Sequence, residues 1–178
     1  LLPKQVAATG SQILLNNAYH LMLRPGDELI RELGGVHEFM QWHGPILTDS
    51  GGFQAWSLAD TNLLGEDGII FKSIIDGSKI ELTPERSMRV QNNLGADIIM
   101  VFDDCPPSVD AASRVRDQRP ELAAAHDKQI GSDHRRRLVE AIDRTARWLE
   151  RCVAAHDRSA DQALFGIVQG GPDEVLRR

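Results

Sequence analysis

Asp97-Ile98-Ile99-Met100-Val101-Phe102 is an apolar run behind a single acid, and it empties at once into Asp103-Asp104-Cys105-Pro106-Pro107. A strand apolar on both faces is what a parallel sheet buries, because helices cover such a sheet on each side. The polar residues at its C-terminal end stand where barrel and open α/β enzymes keep their chemistry. The same passage occurs three more times. Residues 12–15 lead into Asn16-Asn17-Ala18-Tyr19-His20, Pro45-Ile46-Leu47-Thr48 leads into Asp49-Ser50-Gly51-Gly52-Phe53-Gln54, and Leu164-Phe165-Gly166-Ile167-Val168 leads into Gln169-Gly170-Gly171.

Helical patterns stand between these strands. Residues 27–33 follow Pro25-Gly26, carry acids in the first turn and stop at Gly34-Gly35, which suits the helix dipole and its termination. Thr83-Pro84-Glu85 supplies a capping hydroxyl, a first-turn proline and an acid, and Leu94-Gly95 closes that helix. Leu138, Ile142, Ala146, Leu149 and Val153 recur at helical spacing up to His156. Strand, polar exit and helix thus alternate four times, which implies a parallel sheet, closed as a barrel or open and doubly wound.

Two segments depart from that rhythm. Ile69-Ile70-Phe71-Lys72 and Lys79-Ile80-Glu81-Leu82 flank Asp76-Gly77, a favoured turn pair, and read as an antiparallel hairpin over one end of the sheet. Residues 108–137 turn to Ala, Arg, Asp, Gln and Ser with few large apolar side chains and read as a loosely helical surface insert. Its Arg135-Arg136-Arg137 reads as a solvated helix face, with phosphate contact as the other reading.

Composition excludes several classes. With 42% hydrophobic and 26% charged residues among 178, the chain is an ordinary globular one. No apolar run approaches the roughly 20 residues that span a bilayer, so no membrane partner is expected. Cys105 and Cys152 are far apart, which indicates neither a zinc knuckle nor a disulfide framework and makes a reducing cytoplasm the default. Residues 1–106 hold 7 basic against 14 acidic side chains and residues 107–160 hold 11 against 9, so the net charge of −6 says little about a nucleic-acid partner. Both ends read as cut from a longer polypeptide, with residues 174–178 as the opening of a helix.

Chemistry follows from the four exits: Asn16 and Tyr19, Asp49 with Ser50 and Phe53, Asp103 with Cys105, and Gln169. Glycines 51 and 52 allow close approach of a ligand to the backbone, although a turn of this composition also occurs as a plain solvated loop. His20 reads as a hydrogen-bonded structural residue or a catalytic one. No Gly-x-Gly-x-x-Gly, Walker loop or His-x-His pair occurs, which weighs against nucleotide-cofactor and metal-hydrolase functions. Two carboxylates, an amide and an aromatic ring can run glycosidic chemistry. They can equally read a planar heterocycle such as guanine, whose N–H edge suits a carboxylate and whose face suits a ring.

Six ordered motifs carry a resemblance. Residues 16–26 (Asn-Asn-Ala-Tyr-His-Leu-Met-Leu-Arg-Pro-Gly), 47–54 (Leu-Thr-Asp-Ser-Gly-Gly-Phe-Gln), Asp76-Gly77-Ser78, 91–100 (Gln-Asn-Asn-Leu-Gly-Ala-Asp-Ile-Ile-Met), Phe102-Asp103-Asp104-Cys105-Pro106-Pro107 and 165–171 (Phe-Gly-Ile-Val-Gln-Gly-Gly) closely resemble the queuine tRNA-ribosyltransferase (tRNA-guanine transglycosylase) family. The resemblance spans nearly the whole chain, apart from 108–137, where this sequence looks longer than the family. It implies a (β/α)₈ TIM barrel of which residues 1–178 are roughly the first half, with the C-terminal half and a zinc-binding subdomain beyond residue 178. It also implies a pentosyltransferase of the cytoplasm, homodimeric at full length. Such an enzyme exchanges the wobble guanine in the tRNA anticodon loop for 7-aminomethyl-7-deazaguanine in queuosine biosynthesis. On the same resemblance Asp49 is the proton acceptor, and Ser50, Gly51, Gly52 and Phe53 lie against the base. Asp103 reads the guanine-like edge, Gln169 is a further contact, and Cys105 points to the bacterial 7-deazaguanine substrate. The aspartate nucleophile and the zinc ligands fall beyond residue 178, which leaves the fragment alone inactive. A non-catalytic partner subunit and an unrelated barrel glycosidase are the alternatives.

Overall fold

The computed structural model describes residues 2–57, 62–107 and 134–178. Four strands, β1 (Leu14–Asn16), β2 (Ile46–Thr48), β6 (Ile98–Met100) and β7 (Ala163–Phe165), form a parallel sheet in the order β1-β2-β6-β7. Strands met in sequence order are spatial neighbours, as right-handed crossovers through helices produce. A second sheet, β3-β4-β5, is antiparallel: β4 (Ile69–Lys72) and β5 (Lys79–Leu82) are the expected hairpin, and β3 (Leu63–Leu64) adds a strand that the sequence did not announce. The turn is longer than two residues. Ser73 N–H donates to Ser78 O at 2.8 Å, leaving Ile74, Ile75, Asp76 and Gly77 in the loop, with Gly77 at φ 73°.

Helices α3 (Asp27–Glu32) and α6 (Pro84–Leu94) begin and end where the sequence signals lie. Thr83 caps α6 by accepting Arg86 N–H at 3.2 Å, and Gly95 ends it in the left-handed region. Helices α1 (Pro3–Ala7), α2 (Ala18–Leu23), α4 (Gly35–Met40) and α5 (Gly52–Ser57) are short and were not read from sequence. Gly34 and Gly35 stop α3 but also start α4, both at positive φ. Helix α7 (His134–Ala155) runs through the expected apolar stripe. Most of the region read as an insert, 108–133, lies outside the described residues. Its last four positions are no loose surface segment but the regular first turn of α7, and Arg137 points inward while Arg135 and Arg136 stay exposed. Residues 174–177 form turns, not the opening of a helix.

The sheet has one covered face and one open one. Ile46 and Ile99 lie on the covered face, fully buried with Met88 and Leu94 of α6 and Trp148 and Cys152 of α7. Each large side chain removed from water there is worth about 1.5–3 kcal/mol. The register places Leu15, Leu47 and Ile98 on the opposite face, with Met100 and Phe165; Leu15 is 67% and Phe165 51% exposed. Among the described residues no helix is long and apolar enough to cross a membrane.

A buried amide ties the covered face to the strand ends. Gln91, with no exposed surface, accepts from Thr48 Oγ1 at 3.1 Å and Met100 N–H at 3.0 Å, and donates to Met100 O at 2.9 Å and Ser87 Oγ at 3.2 Å. That uses the full capacity of a side-chain amide. Ser87 Oγ in turn donates to Ser50 O at 2.7 Å. Helix α6 thereby fixes the last residues of β2 and β6, where the polar exits begin.

Candidate active site

The exits of β1 and β2 meet at Asp49. Its Oδ1 accepts Ala18 N–H at 2.9 Å and Gly51 N–H at 3.1 Å, and its Oδ2 accepts Asn17 Nδ2 at 2.7 Å. Asn17 also caps α2, accepting His20 N–H at 3.0 Å, so one side chain both starts the helix and holds the carboxylate. Gly51 takes φ 78°, and a Cβ there would stand 3.3 Å from Tyr19 N; glycine is what lets the turn close on α2. Burial pushes the Asp49 carboxyl above its ordinary value, against the two backbone N–H bonds and the charge of the exposed His20. The result is a partly buried carboxylate, fixed by three donors and more basic than usual.

The exits of β6 and β7 meet at Asp103. Only 6% exposed, it accepts Gln169 Nε2 on Oδ2 at 2.6 Å. Burial pushes its carboxyl up to about 6, with hydrogen bonds from Gln169 and Ser50 opposing and the neighbouring Asp104 charge adding to the rise. Ser50, 6% exposed, stands at the β2 exit close enough to the β6 exit for its hydroxyl to act on Asp103. Gly52 makes the approach possible. A Cβ at that position would meet the Phe102 ring at 3.1 Å and Asp103 O at 3.2 Å.

Of the residues singled out from sequence, Asp49, Ser50, Gly51, Gly52, Asp103 and Gln169 are drawn together by these contacts. Phe53, half exposed, stands in the first turn of α5 beside them. Cys105 is partly buried next to Asp103 and Asp104, and burial with those two charges pushes its thiol up to about 11. It is a neutral thiol at neutral pH, suited to lining a pocket and not to attack. Four further residues were given no such part from the sequence: Asn17, which anchors Asp49, and Asp104, Arg137 (read as solvated or phosphate-contacting) and Arg144, which form a buried ion cluster behind Asp103. Asn17 carried a signal, as an N-cap residue ahead of an apolar helix. The arginines carried none, because a basic helix start reads as surface. Among the described residues no group of three or more His, Cys, Asp or Glu side chains is placed to hold a metal ion.

Paired carboxylates at adjacent exits of a parallel sheet, one basic and one desolvated and flanked by an amide, fit proton transfer beside a recognised N–H edge. The family model described as Queuine tRNA-ribosyltransferase matches residues 1–178. The chain belongs to the queuine tRNA-ribosyltransferase family. A queuine tRNA-ribosyltransferase of Synechococcus elongatus is 49% identical over 176 residues, covering 99% of this chain and 40% of that protein. Those of Halalkalibacterium halodurans and Macrococcus caseolyticus are 48% and 46% identical, over 99% and 98% of this chain and again 40% of their own lengths. The chain thus spans about two fifths of the length of these curated family relatives.

Proposed function

We propose that the parent protein is a tRNA-guanine transglycosylase, a pentosyltransferase that exchanges guanine at the tRNA wobble position for 7-aminomethyl-7-deazaguanine in queuosine biosynthesis. Residues 1–178 are the first half of its (β/α)₈ barrel, with an insert ahead of α7 and the open sheet face its interior. The rest of the barrel and the zinc subdomain follow, and the enzyme works in the cytoplasm as a homodimer. One observation supports the reading: Asp49, fixed by three donors, and Asp103, buried against Gln169, stand at adjacent strand exits, an arrangement that suits proton transfer beside a base edge.

The reaction is a double displacement. An aspartate beyond residue 178 attacks the ribose anomeric carbon, the C–N glycosidic bond breaks, and guanine leaves with the bonding pair, its ring nitrogen taking a proton from water. Asp49 then takes the ring N–H proton of the incoming base, whose freed nitrogen attacks the ribosyl ester and releases the aspartate. Asp103 accepts the paired N–H groups of the base with its carboxylate. Gln169, hydrogen-bonded to Asp103 in the free protein, turns its amide to the base when Asp103 takes up the new donors, and Phe53 offers a ring face. Gly51 and Gly52 bring the backbone close to the base plane, and the Cys105 thiol lines the side that accepts the 7-substituent.

Incorporation of radiolabelled guanine into tRNA by the full-length protein tests this. Label is expected to enter tRNA and to be chased out by the aminomethyl-deazaguanine base. Absence of incorporation, with the protein folded and tRNA bound, contradicts the proposal and leaves the partner-subunit reading.

A further inference from the structure

Asp104 is a second carboxylate immediately beside the base-reading one, and it is more deeply buried, at 3% exposure. Successive residues leaving a strand point to opposite sides, so Asp103 faces Ser50 and Gln169 while Asp104 faces α7. There Arg137 grips it in a bidentate fork, with Nη1 at 2.8 Å from Oδ2 and Nη2 on Oδ1, and Arg144 Nη1 binds Oδ2 as well. Asp104 N–H donates to Thr145 Oγ1 at 3.1 Å, so backbone and side chain are both fastened to α7. Arg137 and Arg144 are themselves only 11% and 19% exposed.

Desolvating three charges costs about as much as their attraction returns, and a well-packed apolar cluster serves stability equally well. The arrangement has another consequence. Two adjacent buried carboxylates cannot both ionise readily unless one is neutralised by a cation. A planar guanidinium that binds both oxygens does this without occupying the pocket side.

We infer that Asp104 is a positioning residue that fixes the Asp103 exit, and that its clamp by Arg137 and Arg144 offsets the Asp104 charge and so keeps Asp103 able to carry its own towards the base. The inference rests on the base-reading role given to Asp103 above. Among the described residues, charged and polar groups face Asp103 from three strand exits and from α7. Its own exit brings Asp104 and the Cys105 thiol. The β2 exit brings the Ser50 hydroxyl and, one residue earlier, Asp49; the β7 exit brings the neutral Gln169 amide; and α7 acts through Arg137 and Arg144 on Asp104.

The test uses the full-length protein with guanine as the probe, binding being measured from pH 5 to pH 9. The Asp103 carboxyl is followed in parallel by ¹³C NMR with aspartate labelling. Wild-type binding is expected to rise through an acid limb near the Asp103 value of about 6. Arg137→Gln keeps an amide donor but removes the charge, and it is expected to move that limb up by about one pH unit, weakening binding several-fold near pH 6.5 and little at pH 9. Arg137→Lys keeps the charge and is expected to leave the limb in place. Asp104→Asn removes the like charge and is expected to move it down, so a folding failure of Arg137→Gln still leaves a signed outcome. Limbs that stay put in both charge-altering variants, with binding reduced equally at every pH, overturn the inference and make the cluster a structural clasp. A wild-type protein that fails to bind guanine while the Asp103 resonance still shifts as stated overturns the functional reading and not the cluster's effect on Asp103.

Discussion

Asp49 and Asp103 are held by opposite means. Two of the three donors to Asp49 are backbone N–H groups, from Ala18 and Gly51, and the third is the side chain of the Asn17 that caps α2. Backbone donors cannot turn away, so that carboxylate is locked in place while remaining partly open. Asp103 is nearly closed off, and the donor that holds its carboxylate is a side chain, the Gln169 amide. Side chains can exchange partners, so this carboxylate is free to trade Gln169 for an arriving ligand. Even on neighbouring strands, then, one carboxylate is fixed by main chain at a helix start and the other is held by a side-chain amide, the difference that the proposed roles of base and reader call for.

The largest expected effect breaks the fixed side. Asp49→Ala in the full-length protein should lower guanine exchange by roughly 10²–10⁴-fold, the worth of a positioned acid–base group, while guanine binding changes far less; labelled-guanine incorporation and direct binding separate the two. Near-normal exchange would return the Asp49 turn to a plain loop.

Asp103→Asn breaks the adaptable side with opposite signs in two assays. Guanine binding should weaken by about 1.5–3 kcal/mol, because an amide donor replaces an acceptor oxygen facing N–H groups. Stability should rise at the same time. The folded-state value of about 6 lies above the ordinary 3.8, so the folded chain holds the proton more tightly than the unfolded one, and wild-type stability falls as pH rises from about 4 to 6 and stays lower above. The variant cannot ionise and should gain about 2–3 kcal/mol at pH 8 relative to wild type, with the gain fading below about pH 4. Denaturant melts at the two pH values read it; a gain of the same size at both would assign it to packing.

Gly52→Ala acts where the two exits touch. The added Cβ presses on the Phe102 ring and the Asp103 carbonyl, and overpacking of this kind outweighs the entropy gained in the unfolded chain, for a net loss of about 1 kcal/mol. Guanine affinity should fall with it. Glu66→Gln sharpens the contrast from outside the site. Glu66 is more than half exposed and pairs with Arg147 and, at 3.6 Å, with Arg144 of the Asp104 clamp, so its loss should cost under about 1 kcal/mol and move exchange only as far as it loosens Arg144.

Much of this was legible in the residues. The apolar runs ahead of Asn16, Asp49, Asp103 and Gln169 marked the four parallel strands, and Thr83-Pro84 with Gly95 bounded α6 almost to the residue. What stayed hidden depends on tertiary contact. Gln91 and Ser87 look like surface positions on a helix, and only the strand ends they bond explain their burial. Arg137 belongs to a polar-rich stretch whose composition signals solvent, and a buried Asp104 some thirty residues away draws it inward. Ser50-Gly51-Gly52 reads as a loop because two glycines mask the helix that starts on the second of them.

The most direct test of the central claim, that the Asp49 and Asp103 exits form a single base site, is a crystal structure of the full-length protein with guanine bound. The account predicts the guanine N–H edge on the Asp103 carboxylate, the Gln169 amide released from Asp103 and turned to the base, a ring face against Phe53, and Asp49 still held by Asn17, Ala18 and Gly51. Guanine bound elsewhere, or an Asp103–Gln169 pair left intact beneath it, would contradict the account.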